Sequence, residues 1–415
     1  MKYVGFSDNQ IRLISNNPFE SQNLSVIKLD EDMSDADIFC NYKIKDNKLV
    51  IKKQIGNTSN QKIAFVTNWK MPCGLSTYAE ALFPKLEKQF KDHKYFIEEN
   101  IQTEPVVPSD HLSICWKRGK ELSKLIKEIK EYNPDIVLIN HEWGLFPHAN
   151  IWLSLMSQLS DYRVIVIMHS IFYHKDKTIC EAAMPEIITH LEGGAKVLKE
   201  EKQISTKVSV IPHGCYELNP EKYWNLYNTE HTILQVGFGL KYKNFQDAIK
   251  ATAILKQKKY NDVFFTALFS ESPHGRMEHQ AYYNELIDLV KELDIESNVA
   301  IIRGFQSDEV INSYMRTNNI AIFPYIAQPG HEVFGSTGIA RMAMSKGVPV
   351  VSSSGNHFSD LPTIKADSPA EIASAISELF DDKEKIREQI VKQNEYVNKY
   401  SWDNVAEMYK KVFEE

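Results

Sequence analysis

From Lys62 onward, short runs of apolar and β-branched residues alternate with longer segments whose apolar positions recur every three or four residues. A strand buried on both faces reads as a continuous apolar run, and a helix laid on a sheet shows a 3.6-residue period. The alternation therefore predicts a parallel sheet covered by helices on both faces. In the first half it predicts strands at residues 63–68, 136–140, 164–168, 187–191 and 208–211. A helix is predicted over 121–131, where Leu122, Leu125, Ile126 and Ile129 share one stripe and the lysines face water. The period lapses over 217–230, a polar stretch containing Pro220, which is the expected linker. A second series then predicts strands at 232–236, 263–269, 299–303, 320–324 and 349–352, with helices such as 245–255 and 282–293. Residues 368–413 read as almost wholly helical, opened by Ser368 as N-cap, Pro369 at the first helical position and Glu371 in the first turn.

The expected fold class is α/β, with two Rossmann-like doubly wound domains at 61–216 and 231–398 and a final helical segment at 399–415. Residues 1–60 fit neither series. Their alternating runs, such as 48–53 after the turn-forming pair Asp46-Asn47, predict a small β-rich appendage.

Composition narrows the function. The 415 residues carry 48 Lys+Arg against 55 Asp+Glu, a net charge of −7. A protein that binds by neutralising a phosphate backbone needs clustered surplus cations, so nucleic acid is not an expected partner. No run approaches the roughly 18 apolar residues of a membrane span, and the opening residues lack the layout of a signal peptide. A chain without a transmembrane segment, located in the cytoplasm, is expected. Cys40, Cys73, Cys115, Cys180 and Cys215 never form a C-x-x-C pair and are expected to be reduced, small apolar groups.

Ligands of open α/β sheets bind beyond the carboxyl ends of the strands, so the loops there hold the candidate chemistry. After the first strand comes Cys73-Gly74-Leu75-Ser76-Thr77-Tyr78, a glycine turn that brings backbone amides and a helix start near a ligand. No G-x-G-x-x-G is present, which removes the main fingerprint of a nicotinamide dehydrogenase. His141-Glu142-Trp143-Gly144 and His169 close two successive strands, and both histidines are expected to face one crevice. His141 and Glu142 lack a third ligand at diagnostic spacing, so no zinc site is expected. In the second half, Gly237, Gly239, Lys241 and Lys243 share a strand-end loop, where ammonium groups suit a diphosphate. Further on, Glu332 could accept hydrogen bonds from sugar hydroxyls. The loop Gly330 to Gly338 ends in Ser336, Thr337 and Gly338, with the first two at N-cap positions, and exposes free amides as an anion site.

In this order and spacing, these motifs, together with Ile211-Pro212-His213-Gly214 and Gly347-Val348-Pro349-Val350-Val351, resemble a glycosyltransferase of the GT-B fold, in particular retaining family 4. The resemblance spans roughly residues 62–415. It implies a nucleotide-sugar donor held mainly by the C-terminal domain, an acceptor held mainly by the N-terminal one, reaction in the cleft and a terminal helix that crosses back. It also implies Gly74 near the donor phosphates, His169 near the donor sugar, Lys243 on the diphosphate, and Thr337 with Gly338 at the phosphate-binding helix start. His169, Lys243 and Glu332 are thus the catalytic candidates. Gly74, Gly239, Lys241, Lys243, Ser336, Thr337 and Gly338 are the donor-binding ones, and His141, Glu142 and Trp143 the acceptor-side ones. Met342 occupies the place where many members carry a glutamate, and His213 the place where asparagine is common. An arginine usual in the loop of Gly239 is missing, with Lys241 as its substitute.

The expected reaction moves a sugar from a nucleoside diphosphate, UDP or GDP foremost, to a hydroxyl of a glycan, lipid-linked sugar or other acceptor, with retention and without a cofactor or metal. Asp35-Ala36-Asp37 forms a D-x-D but lies in an acidic run outside the Rossmann series and is read as solvated acids. The competing readings are a GT-B nucleotide-sugar epimerase, a non-catalytic sugar-nucleotide or glycan-binding protein, and, disfavoured by charge, a transferase acting on modified DNA.

Overall fold

The computed structural model of the chain describes residues 1–7, 10–18, 20, 24–29, 38, 42–51, 57–100, 104–172, 185–201, 204, 206–218, 230–271, 276–327 and 332–415. Cys40, Cys180, Asp35-Ala36-Asp37, Gly330, His331 and most of the expected linker, Pro220 included, lie outside the described residues. The chain divides into two units: Met1–Pro212 with Val405–Glu415, and His213–Asn404.

The first unit opens with β1 (Lys2–Ser7), β2 (Gln10–Ser15) and β3 (Ser25–Leu29), an antiparallel sheet in the order β2-β1-β3. Next, β4 (Tyr42–Lys45) and β5 (Lys48–Ile51) form a hairpin. Its turn residues Asp46 and Asn47 have φ of 50° and 58°. A type I′ turn needs that left-handed backbone, and short polar side chains reach it at low cost. The N-terminal region is β-rich, as its alternation and turn pair indicated.

There follow β6 (Lys62–Thr67), α1 (Gly74–Leu86), β7 (Asp92–Glu98), β8 (Leu112–Trp116), α2 (Ser123–Tyr132), β9 (Ile136–His141), α3 (Ala149–Gln158), β10 (Arg163–Met168), β11 (Glu186–Thr189), α4 (Glu192–Lys196) and β12 (Val208–Val210). Their strands make a parallel sheet in the order β12-β11-β10-β9-β6-β7-β8. Every residue of β9 and β10 is buried, which explains the apolar runs Ile136–Ile139 and Val164–Met168. Strands β7 and β8 were not predicted from the pattern. They lie at one edge of the sheet, and β7 begins with the partly exposed Asp92, His93 and Lys94, which breaks its apolar run.

The second unit holds β13 (Thr232–Phe238), α5 (Phe245–Lys258), β14 (Phe264–Ser270), α6 (Arg276–Glu292), β15 (Val299–Arg303), α7 (Asp308–Thr317), β16 (Ile320–Phe323), α8 (Gly338–Ser345), β17 (Val350–Ser352), β18 (Ile364–Lys365), α9 (Pro369–Asp381) and α10 (Lys383–Lys399). The last helix, α11 (Trp402–Glu414), belongs to the first unit from Val405 on. The parallel sheet runs β15-β14-β13-β16-β17-β18. Successive residues of β13 serve opposite faces: Ile233 joins one apolar cluster, while Leu234 and Val236 join the other. Helix α9 starts as predicted, with Ser368 Oγ accepting from the Glu371 amide and Pro369 inside the first turn.

Strand order reverses beside the first strand of each sheet, between β6 and β9 and between β13 and β16. At such a switch point the two following loops diverge and leave a crevice at the carboxyl ends.

Candidate functional site

In the second unit, the loops after β13 and β16 flank the switch point. The β13 loop forms a 3₁₀ turn over Lys241–Lys243 and ends at Asn244, whose φ of 55° is left-handed. Asn244 then caps α5: its Oδ1 accepts from the Asp247 amide, and its Nδ2 donates to the Pro324 carbonyl at 3.0 Å. That second bond ties the β13 loop to the β16 loop. The Lys243 ammonium lies 3.8 Å from the ring centroid of Tyr325 and 4.8 Å from that of Tyr242. His357 completes the group, stacked on Tyr242 at 6.0 Å and edge-on to Tyr325 at 5.6 Å. Burial, reinforced by the Lys243 charge, pushes the His357 pKa down to about 4, so near neutral pH the ring is uncharged and Lys243 is the cation of this group.

Burial raises the pKa of the Tyr325 phenol. Thr337 is the N-cap of α8 but makes no side-chain cap bond. Among the described residues, the buried hydroxyls of Tyr325, Ser336 and Ser353 have no hydrogen-bond partner. No side chain caps α8, as none caps α1 to α4, whereas Asn244, Ser307, Ser368 and Asp382 cap α5, α7, α9 and α10, so among the described residues the amides of this start are open to a ligand. A Cβ on Gly338 would stand 3.3 Å from His213 Nε2, so glycine keeps this start open.

Two donor-side candidates also have other contacts. Lys241 is exposed and pairs with Glu285 of α6 at 2.9 Å. It leans toward the β14 side of its strand while Lys243 leans toward β16, because residues two apart on a 3₁₀ turn do not share a face. Gly239 has a packing reason: a Cβ there would lie 2.0 Å from the Phe269 ring. Glu332 stands exposed.

In the first unit the site is built around Asn140, near the end of β9. Its Nδ2 donates to Thr67 Oγ1 at 3.1 Å and to the Leu75 carbonyl at 3.2 Å, joining β6, β9 and the first turn of α1. A carbonyl can only accept, so the amide nitrogen is fixed toward Leu75 and Oδ1 faces His169 Nε2, which must carry the proton of their hydrogen bond. Tyr78 stands edge-on to the His169 ring at 4.5 Å, and His190 lies 5.0 Å away. Around Gly74, a Cβ would meet nothing within 4 Å.

His141 does not share this crevice. Side chains alternate along a strand, so the residue after Asn140 turns to the opposite face. There it is 1% exposed, stacked on Phe146 at 5.5 Å and edge-on to Trp152 at 4.6 Å. Among the described residues neither ring nitrogen has a hydrogen-bond partner, and burial pushes its pKa down to about 3. Glu142 folds back locally, its Oε1 accepting from the Trp143 amide at 2.9 Å. The sign of the resulting pH effect is fixed. The unfolded chain takes up a proton near pH 6.5 that folded His141 refuses until about pH 3, so stability falls as pH drops through that window. Replacing His141 by Phe is expected to remove about 2 kcal/mol of the loss between pH 7 and pH 5, read from urea unfolding of the first unit. An unchanged pH slope would refute the neutral buried imidazole.

The sequence reading missed Asn140, Tyr325 and Arg341. Each has a signal: a polar residue inside an apolar run is buried with a partner more often than it is idle. Met342 is buried in the core with Leu234 and Ala343, turned away from any ligand role. Among the described residues, no group of three or more His, Cys, Asp or Glu is placed to hold a metal ion, and no helix is long and apolar enough to cross a membrane. The described cysteines Cys73, Cys115 and Cys215 are free thiols.

Residues 220–396 match the family described as glycosyl transferases group 1. No curated protein matches the chain by sequence. Among solved structures, it is similar to Anabaena Alr3699/HepE in complex with UDP (TM-score 0.61, 12% identity, covering 85% of this chain and 99% of that one). It is also similar to sucrose-phosphate synthase (tll1590) from Thermosynechococcus elongatus (0.64, 16%, 85% and 99%). A third similar structure is described as trehalose-6-phosphate from E. coli bound with UDP-2-fluoro glucose (0.66, 11%, 85% and 99%). At these identities the likeness is one of fold, and the fold is GT-B. Residues 220–396 thus match a family of glycosyltransferase enzymes, on a chain with the GT-B fold.

Proposed function

We propose that the chain transfers a sugar from a nucleoside diphosphate to an acceptor hydroxyl, with retention of anomeric configuration and without a metal. The observation that carries this reading is Tyr325, which holds the Lys243 ammonium on its ring while its buried hydroxyl, like that of Ser336 before the uncapped start of α8, has no hydrogen-bond partner among the described residues. A cation on the loop after β13 and an uncapped helix start after β16 are the two kinds of group that a diphosphate requires.

When the bond between the anomeric carbon and the phosphate breaks, positive charge grows on the sugar and negative charge on the leaving phosphate. Lys243 and the α8 amides stabilise the leaving group, and being fixed beforehand they need little reorganisation as the charge develops. In the first unit, Asn140 locks the His169 ring with Nε2 protonated, at the carboxyl end of β10 where the donor sugar is expected. Glu142 and Trp143 serve the acceptor side. A UDP-sugar is the leading donor, supported by the UDP and UDP-sugar analogue bound to two similar structures; a GDP-sugar is the next. Retention follows the resemblance to family 4.

Thermal-shift measurements with UDP, GDP, ADP and their sugars test the reading. One base is expected to stand out, with about 2.7 kcal/mol of stabilisation at 100 times its Kd. No shift with any of them would refute it. Activity is expected to persist in EDTA, because the leaving charge meets Lys243 and backbone amides. Complete loss there, with rescue by manganese, would overturn the metal-free mechanism.

A further inference from the structure

Helix α8 is eight residues long, Gly338–Ser345, and its N-cap lacks a side-chain bond, so something else must hold its first turn still. An ordinary cap would do so by consuming the amides that a ligand needs. Arg341, one turn in and 1% exposed, works from the other side of the backbone. Its Nη1 donates to the Thr337 carbonyl at 2.9 Å, and its Nε donates to the His213 carbonyl at 3.2 Å. Its Nη2 donates to Asp360 Oδ2 and, at 3.1 Å, to the Tyr396 hydroxyl, which itself donates to Asp360 Oδ2 at 2.5 Å. The guanidinium therefore grips acceptors only and takes up none of the N–H groups of the helix start. A charge buried this deeply is costly to desolvate, and an apolar side chain would fill the same space at lower cost. The neighbouring helical positions Ala340, Met342, Ala343 and Met344 are apolar and buried, so the arginine is a local exception.

We propose that Arg341, anchored by Asp360 and Tyr396, is a positioning residue that fixes the α8 start for the donor's diphosphate. This rests on the donor site proposed above. Three contacts set the geometry that matters: the Thr337 carbonyl orients the peptide leading into Gly338, the His213 carbonyl fixes the residue whose ring meets Gly338, and Asp360 balances the charge. Arg341 itself does not touch the ligand.

The test compares how tightly the full-length chain binds a nucleoside diphosphate and the corresponding nucleoside, using whichever of UDP, GDP and ADP wild type binds best. In Arg341→Lys and Asp360→Asn the diphosphate Kd is expected to rise about tenfold, the equivalent of about 1.4 kcal/mol, while the nucleoside Kd stays within twofold. Tyr396→Phe, which removes one anchor and keeps the ring, is expected to show the same selective loss at smaller size. It keeps the test decisive should Arg341→Lys fail to fold. A purely structural role lowers thermal stability but leaves the ratio of the two constants at the wild-type value, and that result would overturn the inference. If wild type binds no nucleoside diphosphate, the donor site itself is wrong, an outcome distinct from failure of the positioning role.

Discussion

Lys243→Ala is expected to lower kcat/KM for sugar transfer by about 100- to 1000-fold, the range seen when one preorganised group facing a developing oxyanion is removed. The expectation rests on geometry more than on the presence of a lysine. The ammonium is boxed by Tyr242, Tyr325 and the neutral ring of His357, so its position is set before any ligand arrives. A cation held in advance stabilises leaving charge more than one that must be gathered from solvent. Lys243→Arg is expected to recover only part of the loss, because the wider guanidinium does not fit where the ammonium sits over the Tyr325 ring. Lys241→Ala, which breaks only the exposed pair with Glu285, is expected to cost less than about threefold. Steady-state kinetics with saturating acceptor reads all three. A Lys241 effect as large as that of Lys243 would show that the loop had been assigned the wrong way round.

Gly239→Val is expected to destabilise the second unit by about 3 kcal/mol or more, visible as a lower urea midpoint before any ligand is added. A Cβ at Gly239 would lie 2.0 Å from the Phe269 ring, and that ring is fully buried. It is further hemmed in by Phe245 at 5.5 Å and Tyr282 at 6.0 Å, so it has no free direction in which to move. Overpacking of this kind typically costs about 1–3 kcal/mol, and a second branch at Cβ pushes toward the upper end. The loop also cannot slide away. The Gly239 amide donates to the Ser270 carbonyl at 2.9 Å, and His279 Nδ1 lies 2.9 Å from the Gly239 carbonyl. Gly74→Ala supplies the contrast. Nothing stands within 4 Å of its would-be Cβ, so stability is expected to stay within about 1 kcal/mol and any change in donor affinity reads directly on the ligand. A well-folded Gly239→Val protein would remove the packing explanation and return that glycine to the binding site.

The fold was legible wherever burial was uniform. Strands β9, β10 and β16 are buried along their whole length and announce themselves as apolar runs. The hairpin of residues 42–51 was legible because its two turn residues carry the left-handed backbone that only a few side chains tolerate. Strands β7 and β8 were not: Asp92, His93 and Lys94 break the apolar run of β7, and the edge strand β8 is only partly buried over its first three residues. Strand-end position picked out both His169 and His141 but could not tell that they face different ways. The difference is one residue of register, and one residue decides the face of the sheet. Likewise, the two lysines of one loop look equivalent until a 3₁₀ turn sends them in different directions. Arg341 escaped notice for another reason: its partners Asp360 and Tyr396 are 19 and 55 residues away, and no local pattern couples them.

The central claim is that the second unit grips a diphosphate between Lys243 and the start of α8. A crystal structure with the best-binding nucleoside diphosphate tests it most directly. The account predicts phosphate oxygens within hydrogen-bond reach of the Gly338 amide and of Lys243 Nζ. A diphosphate bound elsewhere, with the Lys243 ammonium still resting on the Tyr325 ring and the α8 amides facing water, would contradict it.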